Sequence, residues 1–283
     1  MISNEENTYI LQRAYIPEHL PNYVEAATGA ETTLIQNCLV YTRESHLSLV
    51  AYPLTPNGNF QEENSGWLER LTSSLMETYN PQVFSIISPI RCIFLDGLEN
   101  TGEDQYFRLK LDQVKPGKKI RNLLQHAERE LTVVTDQKFD CRHKRLVNEF
   151  LKKHRVSPET RSIFKRLPRI SKAPGCVLLS AFNQRGKLVA FDLFDFSADS
   201  SGFYLFNFYS RSQYVPGASD LLLFRGMQIA LQQGKKYLNL GLGIHPGVEQ
   251  FKAKWGSQPF LKYLAYQKEP DVEEAADNFF AKL

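Results

Sequence analysis

The segment between residues 203 and 243 limits the possible folds of this chain more than any other. An apolar strand at 202–210 is followed by a turn with Gly217, a helix with an apolar stripe at 219–233 and a second apolar strand at 237–243. A strand, a helix and a strand joined by short turns form a right-handed crossover between parallel strands. The segment therefore predicts a β–α–β unit in which the helix begins at the carboxyl end of the first strand.

Both halves of the chain repeat one order of elements, a hairpin followed by a helix and a strand. With 283 residues the chain is long enough for two domains. We therefore predict an α+β protein with two copies of one architecture, at residues 1–135 and 136–283. Residues 1–37 give little periodic signal, and residues 55–66 are rich in turn formers. The other predicted elements are a hairpin at 38–43 and 47–54, a helix at 67–79, strands at 83–95 and 106–111, helices at 118–131, 146–153 and 157–165 with a strand at 132–135, a hairpin at 176–182 and 187–196, a helix at 246–255 and a strand at 259–267.

The turn before the second-half helix has the features of an anion site. Gly217 lets the backbone approach a ligand closely, and Ser219 or Asp220 can cap the helix. The free N–H groups of a first helical turn bind phosphate well. An ordinary strand-to-helix turn also needs a glycine, so the residues alone leave both interpretations open.

Charge is distributed unevenly along the chain. Residues 115–172 contain 17 Lys and Arg against 6 Asp and Glu, a balance of +11, whereas the whole chain contains 34 and 31. The remainder therefore carries 17 and 25, a balance of −8. Such a basic block suggests an acidic partner, which could be tRNA, or a set of solvated helix faces.

Several classes of protein are disfavoured. The N-terminus, MISNEENTYI, does not resemble a signal peptide, and no run approaches the ~20 apolar residues of a membrane span. We therefore expect a cytoplasmic protein. The four cysteines form no CxxC pair, so we expect no metal site and favour buried, reduced thiols over a nucleophilic cysteine.

Two runs of sequence resemble the GNAT acyltransferase superfamily. They are PGASDLLLFRGMQIALQQGKKYLNLGLG at 216–243 and GVEQFKAKWGSQP at 247–259, in which 251–256 is similar to an "FKxxFG" segment with Trp255 in place of Phe. The basic helix at 118–129 also resembles one of the superfamily. The similarity is closest to the branch with the Fem aminoacyltransferases and the lysyl-phosphatidylglycerol synthase catalytic domain, and it spans about residues 106–267.

The resemblance implies two tandem GNAT-like domains, each with a mixed, mainly antiparallel sheet and helices on both faces, and a donor site in the C-terminal one. It implies transfer of an acyl group from acyl-CoA to an amine or hydroxyl. The cofactor-binding residues would be Tyr214, Val215, Pro216, Gly217, Ala218, Ser219 and Lys252, and the catalytic candidates Asp192, Tyr209, His245 and Glu249.

Two other functions stay open. The turn from Gln213 to Gly217 has one residue more than the usual Arg/Gln-x-x-Gly-x-Gly/Ala pattern, which suits the less regular Fem-like branch. An aminoacyl-tRNA donor, bound through the basic block at 115–172, is therefore an alternative. The other alternative is a GNAT fold kept for binding alone. The sequence does not identify the acceptor.

Overall fold

The computed structural model describes residues 2–55, 66–92, 97–136 and 138–268. Within these residues the chain forms an α+β structure, as the sequence predicts. Its helices are α1 (Asn4–Arg13), α2 (Pro21–Thr28), α3 (Gly66–Tyr79), α4 (Lys118–Glu130), α5 (Cys141–Lys153), α6 (Pro158–Ile170), α7 (Ala218–Gln232) and α8 (Pro246–Lys254). Its strands are β1 (Glu31–Ile35), β2 (Cys38–Arg43), β3 (His46–Val50), β4 (Val83–Ser88), β5 (Glu99–Lys110), β6 (Leu131–Asp136), β7 (Cys176–Asn183), β8 (Leu188–Asp195), β9 (Ser201–Tyr209), β10 (Tyr237–Leu242) and β11 (Gln258–Lys268).

These elements match the predicted ones closely from residue 38 onward. Strand β5 and helix α5 begin earlier than predicted, because their first residues are polar and carry little apolar periodicity. Helix α6 continues to Ile170, beyond the predicted end at 165, although it contains Pro168. The elements in residues 1–37 were not predicted; they are α1, α2, β1 and a short 3-10 helix at Pro17–His19. The predicted turn-rich loop falls mostly outside the described residues, as does the end of the predicted strand at 83–95.

The eleven strands found in the described residues belong to one mixed sheet, in the order β1-β2-β3-β4-β11-β5-β10-β9-β8-β7-β6. Most neighbours are antiparallel, and the parallel pairs are β3 with β4 and β9 with β10. The C-terminal strand β11 lies between β4 and β5, so it pairs with strands from the first half of the chain. Strand β5 in turn pairs with β10 of the second half. This exchange joins the two halves, and the boundary near residue 135 stays a prediction.

Helices cover both faces of the sheet. One core, which includes Ile10, Tyr23, Leu146 and Leu167, buries α1, α2, α5 and α6 against one face across both halves. On the other face, α4 and α7 share a second core, and α3 packs on a third. In the portion of the chain that the structure describes, no helix combines the length and apolarity needed to cross a bilayer.

Candidate functional site

A wedge-shaped gap opens between the parallel strands β9 and β10. Their pairing ends where Asn239 lies opposite Phe203, yet β9 continues to Tyr209 and β10 to Leu242. The pairing of β10 with β5 also shifts register beyond Asn239, where Gly241 adopts a left-handed φ of 73°. The ends of both strands therefore present backbone groups that lack a partner strand on this side.

The corresponding parallel pair in the first half is closed. Strands β3 and β4 pair at five successive positions, from His46 opposite Val83 to Val50 opposite Ile87. The amide of Ala51 then donates a further hydrogen bond to the Ile87 carbonyl, at 2.8 Å. Only the second of the two parallel pairs is thus split.

Strand β9 carries a bulge beside the gap. Leu193 of β8 lies opposite Phe206, but Phe194 lies opposite Tyr204, so Leu205 is an extra residue on β9. A bulge re-aims side chains and increases local twist, and bulges are over-represented next to active sites. Here Leu205 and Phe206 both pack toward the core under α5 and α6.

The turn at Gly217 requires glycine for two reasons. Its φ is +82°, and a Cβ atom at this position would lie 2.8 Å from the carbonyl oxygen of Leu123 on α4. Gly217 is the N-cap of α7, and no described side chain caps this helix. The expectation that Ser219 or Asp220 caps α7 was therefore wrong, because glycine occupies the capping position and both residues lie within the first turn.

The carboxylate of Asp220 is paired with residues of α8. Its Oδ1 atom accepts a hydrogen bond from Trp255 Nε1 at 3.0 Å and forms an ion pair with Lys254 Nζ at 2.6 Å. The side chain is 8% exposed, so the ion pair neutralises it within the interface between α7 and α8. An acidic residue in the first turn of α7 is therefore compatible with an anion at the same helix end.

A carboxylate from α5 fixes the loop that leaves β9. Glu149 accepts hydrogen bonds from Arg211 N at 3.0 Å, Ser212 N at 3.4 Å and Ser210 Oγ at 3.0 Å. Partial burial would raise the pKa of Glu149, but these hydrogen bonds outweigh it and hold the pKa below its usual value. The first amides of the β9–α7 loop are thus already occupied, and an external anion would have to use those nearer Gly217.

The two aspartates of β8, Asp192 and Asp195, point to opposite faces of the sheet, because residues three apart in a strand have opposite orientations. Asp192 is fully buried and accepts a hydrogen bond from Asn207 Nδ2 at 2.5 Å, on the face covered by α7. Asp195 accepts from the amide and hydroxyl of Ser197, at 2.8 and 2.5 Å. Burial raises the pKa of both carboxyls above the usual value. Asp195 therefore stabilises a turn on the other face. Asp192 lies beside β9, the strand that forms one side of the gap.

The predicted residues that follow β10 lie at the start of α8. His245 is exposed and is the N-cap of this helix, where its Nδ1 atom accepts a hydrogen bond from Gly247 N at 3.2 Å. Glu249 is exposed in the first turn of α8. The loop itself is held by Asp104 of β5, which accepts hydrogen bonds from the amides of Gly243 and Ile244 at 2.9 and 2.8 Å.

Lys252 lies deeper than a surface anion contact would. Its side chain is buried, and Nζ donates a hydrogen bond to the carbonyl of Leu242 at the end of β10. Burial lowers the pKa of Lys252 to about 7, and Asp104 and Glu249 partly oppose this effect. The structure therefore places Lys252 under one side of the gap and does not bring it to the turn at Gly217.

The aromatic candidates lie at the open end of the gap. Tyr209 is 42% exposed at the end of β9, and Tyr214 is 63% exposed in the turn. Their ring centroids are 6.3 Å apart, with the rings at 64°. The structure thus brings both tyrosines together with Val215, Pro216, Gly217, Ala218 and Ser219, whereas His245 and Glu249 belong to the opposite side.

A cluster that sequence reasoning missed lies where the two halves meet. Glu18 is 1% exposed, and its Oε2 atom accepts a hydrogen bond from Tyr106 Oη at 2.8 Å. Tyr41 Oη donates to the Glu18 carbonyl, also at 2.8 Å. Tyr106 is the residue of β5 that lies opposite Leu242 of β10. Glu18 therefore lies under the end of β10, and a buried carboxyl bonded to tyrosines has no local sequence signature that could have revealed it.

A second missed contact lies at the point where the strands separate. Asn239 Nδ2 donates a hydrogen bond to the carbonyl of Tyr15 at 2.8 Å, and Asn239 Oδ1 accepts one from Gly241 N at 2.7 Å. The N-terminal segment thus contacts the last paired residue of β10. A buried asparagine within the apolar run YLNLGLG is a signal that could have marked this position.

The basic block is divided between the two faces of the sheet. Helix α4, with exposed Lys118, Lys119 and Arg121, packs beside α7, whereas α5 and α6 cover the opposite face. Both parts reach the β9–α7 loop, because α4 touches Gly217 through Leu123 and α5 holds the start of the loop. The loop is therefore bracketed by two basic helices.

The burial of the cysteines agrees only partly with the prediction of buried, reduced thiols. Cys38 and Cys92 are buried, and burial raises their pKa to about 12 and about 11, which disfavours a reactive thiolate. Cys141 is exposed, contrary to the expectation of buried thiols, because it is the first residue of α5 and follows the capping Asp140 on the solvent side. Within the described ranges no three His, Cys, Asp or Glu side chains are placed to hold a metal ion.

Known structures share this architecture at low sequence identity. No protein-family model and no curated protein sequence matches the chain. The L-PGS protein of Bacillus licheniformis aligns with a TM-score of 0.59 and 15% identity, over 96% of this chain and 93% of that one. FemX aligns with a TM-score of 0.57 and 11% identity, over 93% and 96%. A tandem GNAT protein from the clavulanic acid biosynthesis pathway aligns with a TM-score of 0.52 and 11% identity, over 84% and 79%. The predicted resemblance is confirmed at the level of the fold, which is that of tandem GNAT proteins.

Proposed function

We propose that this chain is an acyltransferase whose reaction takes place in the gap between β9 and β10. The observation that carries the proposal is the split after Phe203 and Asn239, together with the uncapped start of α7 at its mouth. A gap of this kind lets an extended acyl carrier lie between two strands and bond to their free backbone groups. The closed pair of β3 and β4 supports a single site, in the second half of the chain.

The donor we favour is acyl-CoA. The positive φ of Gly217 and the close approach of Leu123 fix a turn whose backbone is open to a ligand. The first-turn amides of α7 and the helix dipole would stabilise a pyrophosphate there. The ion pair of Asp220 with Lys254 supports this donor, because it removes the negative charge that would repel the phosphates.

A second candidate donor is aminoacyl-tRNA. Its support is the pair of basic helices that bracket the β9–α7 loop. Exposed Lys144, Arg145 and Lys152 line a shallow groove on α5, and Arg211 of the loop lies 3.2 Å from His154. Phosphate contacts of this kind are sequence-independent and weaken steeply with salt.

The chemistry would be direct attack of an amine or hydroxyl on the activated carbonyl. The nucleophile forms the new bond to the carbonyl carbon, the thiol or ribose oxygen leaves, and one proton passes from the nucleophile to a base or to the leaving group. Free N–H groups of β9 near its bulge would stabilise the oxyanion. The candidates for proton transfer are still Tyr209, His245 and Glu249. Asp192 is too deeply buried to reach the acceptor directly.

The test combines donor binding with donor consumption. Purified protein is titrated with CoA and acetyl-CoA, and separately with bulk aminoacylated tRNA at two salt concentrations. Thiol release or loss of aminoacyl ester is then followed in the presence of a panel of amines. We expect one donor to be bound and consumed, and Gly217→Trp to abolish both effects while Gly234→Ala, at an open glycine on the other end of α7, preserves them.

Each outcome selects one function. Binding of acyl-CoA without turnover would favour the third possibility, a GNAT fold used for binding alone. Salt-sensitive retention of tRNA with no affinity for CoA would select the Fem-like donor. Failure to bind either donor at millimolar CoA or micromolar tRNA would overturn the proposal of an acyltransferase.

A further inference from the structure

A chain of polar side chains connects the interior of β8 with the first turn of α7. Asn207 of β9 lies directly opposite Asp192, and its Nδ2 atom donates a hydrogen bond to Asp192 Oδ1 at 2.5 Å. Ser219, the second residue of α7, donates from Oγ to Asn207 Oδ1 at 3.3 Å. The carboxyl, the amide and the hydroxyl thus form a continuous relay from the sheet to the helix.

The direction of this relay is fixed by Asp192. Burial raises the pKa of Asp192 well above its usual value, but the oxygen that faces Asn207 can accept a hydrogen bond in either protonation state. With Asp192 as acceptor, the amide nitrogen of Asn207 faces Asp192 and its carbonyl oxygen faces Ser219. The buried carboxyl thereby orients the Asn207 carbonyl oxygen toward Ser219 in the first turn of α7.

The carboxyl end of the relay is buried in the core beside Tyr204. Asp192 Oδ2 and the Tyr204 hydroxyl are both buried, and they interact with each other, which partly offsets the rise in the pKa of Asp192 that burial causes.

Two members of the relay, Asn207 and Ser219, lie on the two parts of the proposed donor site, which are the gap and the start of α7. Asn207 lies four residues beyond Phe203, where β9 has separated from β10, and it is partly exposed. Ser219 lies two residues after Gly217, at the uncapped start of α7. We propose that Asp192 and Asn207 are positioning residues which hold the first turn of α7, through Ser219, in the geometry that receives the donor. The donor part of this inference rests on the proposed function, whereas the fixing of the helix end does not.

Four variants separate this role from general packing. Asn207→Leu removes both hydrogen bonds, and Asn207→Asp places a second carboxyl beside Asp192, so that the two acceptors repel each other once both are ionised. The double change Asp192→Asn with Asn207→Asp restores both bonds, because the amide now at position 192 donates to the carboxylate at 207, which accepts from Ser219. Asp192→Asn alone is the matched control, since its side-chain oxygen can still accept from Asn207.

The first measurement is hydrogen–deuterium exchange of the peptide covering residues 217–224, compared with a peptide from α8. We expect faster exchange at the start of α7 in Asn207→Leu and Asn207→Asp, and near wild-type exchange in the control and the double variant. A uniform change in both peptides, unchanged exchange in Asn207→Leu, or a double variant no better than Asn207→Asp would overturn the inference.

The second measurement is the Kd of the same variants for CoA and for bulk aminoacylated tRNA. For whichever ligand the wild type binds, we expect Asn207→Asp to raise Kd about tenfold, which equals about 1.4 kcal/mol, and the double variant to recover it. An unchanged Kd beside faster exchange would overturn the link to the donor. If the wild type binds neither ligand, the proposed function fails while the exchange result still decides the role of the relay.

Discussion

The ammonium group of Lys252 donates a hydrogen bond to the carbonyl oxygen of Leu242, at the end of β10. This contact ties α8 to the side of the gap formed by β10. It also places a basic group where burial lowers its pKa from 10.5 to about 7, with Asp104 and Glu249 partly opposing the change. The protonation state of this lysine, which contacts one side of the gap, therefore depends on the pH of the medium.

The first prediction concerns this lysine and the stability of the fold. Between pH 7 and pH 10.5, Lys252 is protonated in the unfolded chain but largely neutral in the folded one, so the unfolded state binds more protons. Its contribution to the free energy of unfolding therefore rises with pH in this window, by up to about 1.4 kcal/mol per pH unit, and is constant below it. Lys252→Met should remove this slope, measured by chemical unfolding at pH 7, 8 and 9.

The matched control for this prediction is Lys262→Met, at an exposed lysine of β11. This variant should keep the wild-type slope. Equal slopes in wild type and Lys252→Met would show that the pKa of Lys252 is not lowered by burial.

The second prediction concerns Glu18, whose pKa burial raises from 4.5 to about 7, partly opposed by the hydrogen bond from Tyr106. Here the folded state binds more protons between these values, so this contribution to stability is full below pH 4.5 and lost as pH rises to 7. Glu18→Gln cannot ionise, and its side-chain oxygen can still accept from Tyr106. The variant should be more stable than wild type at pH 8, by about 1–3 kcal/mol, and closer to it at pH 5.

Thermal or chemical unfolding at the two pH values measures this difference. Tyr106→Phe serves as the comparison, because loss of its hydroxyl should raise the pKa of Glu18 further and move the window upward. A Glu18→Gln protein that is less stable than wild type at pH 8 would contradict the prediction.

The third prediction compares two glycines with similar backbone angles. Gly217 and Gly234 have φ values of 82° and 74°, but a Cβ atom meets Leu123 O only at Gly217 and finds nothing within 4 Å at Gly234. Gly234→Ala should lower the free energy of unfolding by about 1–2 kcal/mol, because alanine is unfavourable in a left-handed conformation. Gly217→Ala should cost at least about 1 kcal/mol more, since the turn must also move away from α4.

Chemical unfolding of both variants tests this comparison, and donor titration adds a second readout. The Gly217 variant should lose affinity for the donor, and the Gly234 variant should keep it. Equal costs for the two substitutions would show that α4 yields easily and does not fix the turn.

Local patterns accounted for most of the elements but not for their arrangement. Apolar periodicity predicted α7 well, and the structure explains why its interior contains Gly226, where a Cβ atom would lie 2.2 Å from the Phe194 ring. The helix α1 was missed although Ser3 and Glu6 form a capping box, a short signal that is visible in the sequence. Apolar residues alone left this helix undetected because only Ile10 is buried along it.

Features that depend on distant parts of the chain could not be predicted. The insertion of β11 between β4 and β5 depends on pairing across more than 150 residues, which no local pattern encodes. Part of the candidate site could not be predicted for the same reason. The turn at Gly217 was predicted from its own residues, whereas the contacts of Glu18 and Glu149 appear only once the halves and helices are packed together.

The last prediction concerns the carboxylate that holds the β9–α7 loop. Glu149 receives hydrogen bonds from Arg211 N and Ser210 Oγ, and its pKa is held below the usual value despite partial burial. Because the pKa is lowered, this contribution to stability is present above the unfolded pKa of about 4.5 and is lost as pH falls through the folded value. Glu149→Gln keeps one acceptor oxygen, whereas Glu149→Ala leaves the loop amides without it. We therefore expect hydrogen exchange of residues 210–214 to increase strongly in the alanine variant and weakly in the glutamine one. Glu159→Ala, on the neighbouring helix α6, should leave this loop unchanged. Unaltered exchange in Glu149→Ala would mean that the loop is held by its own turn and that Glu149 does not fix it.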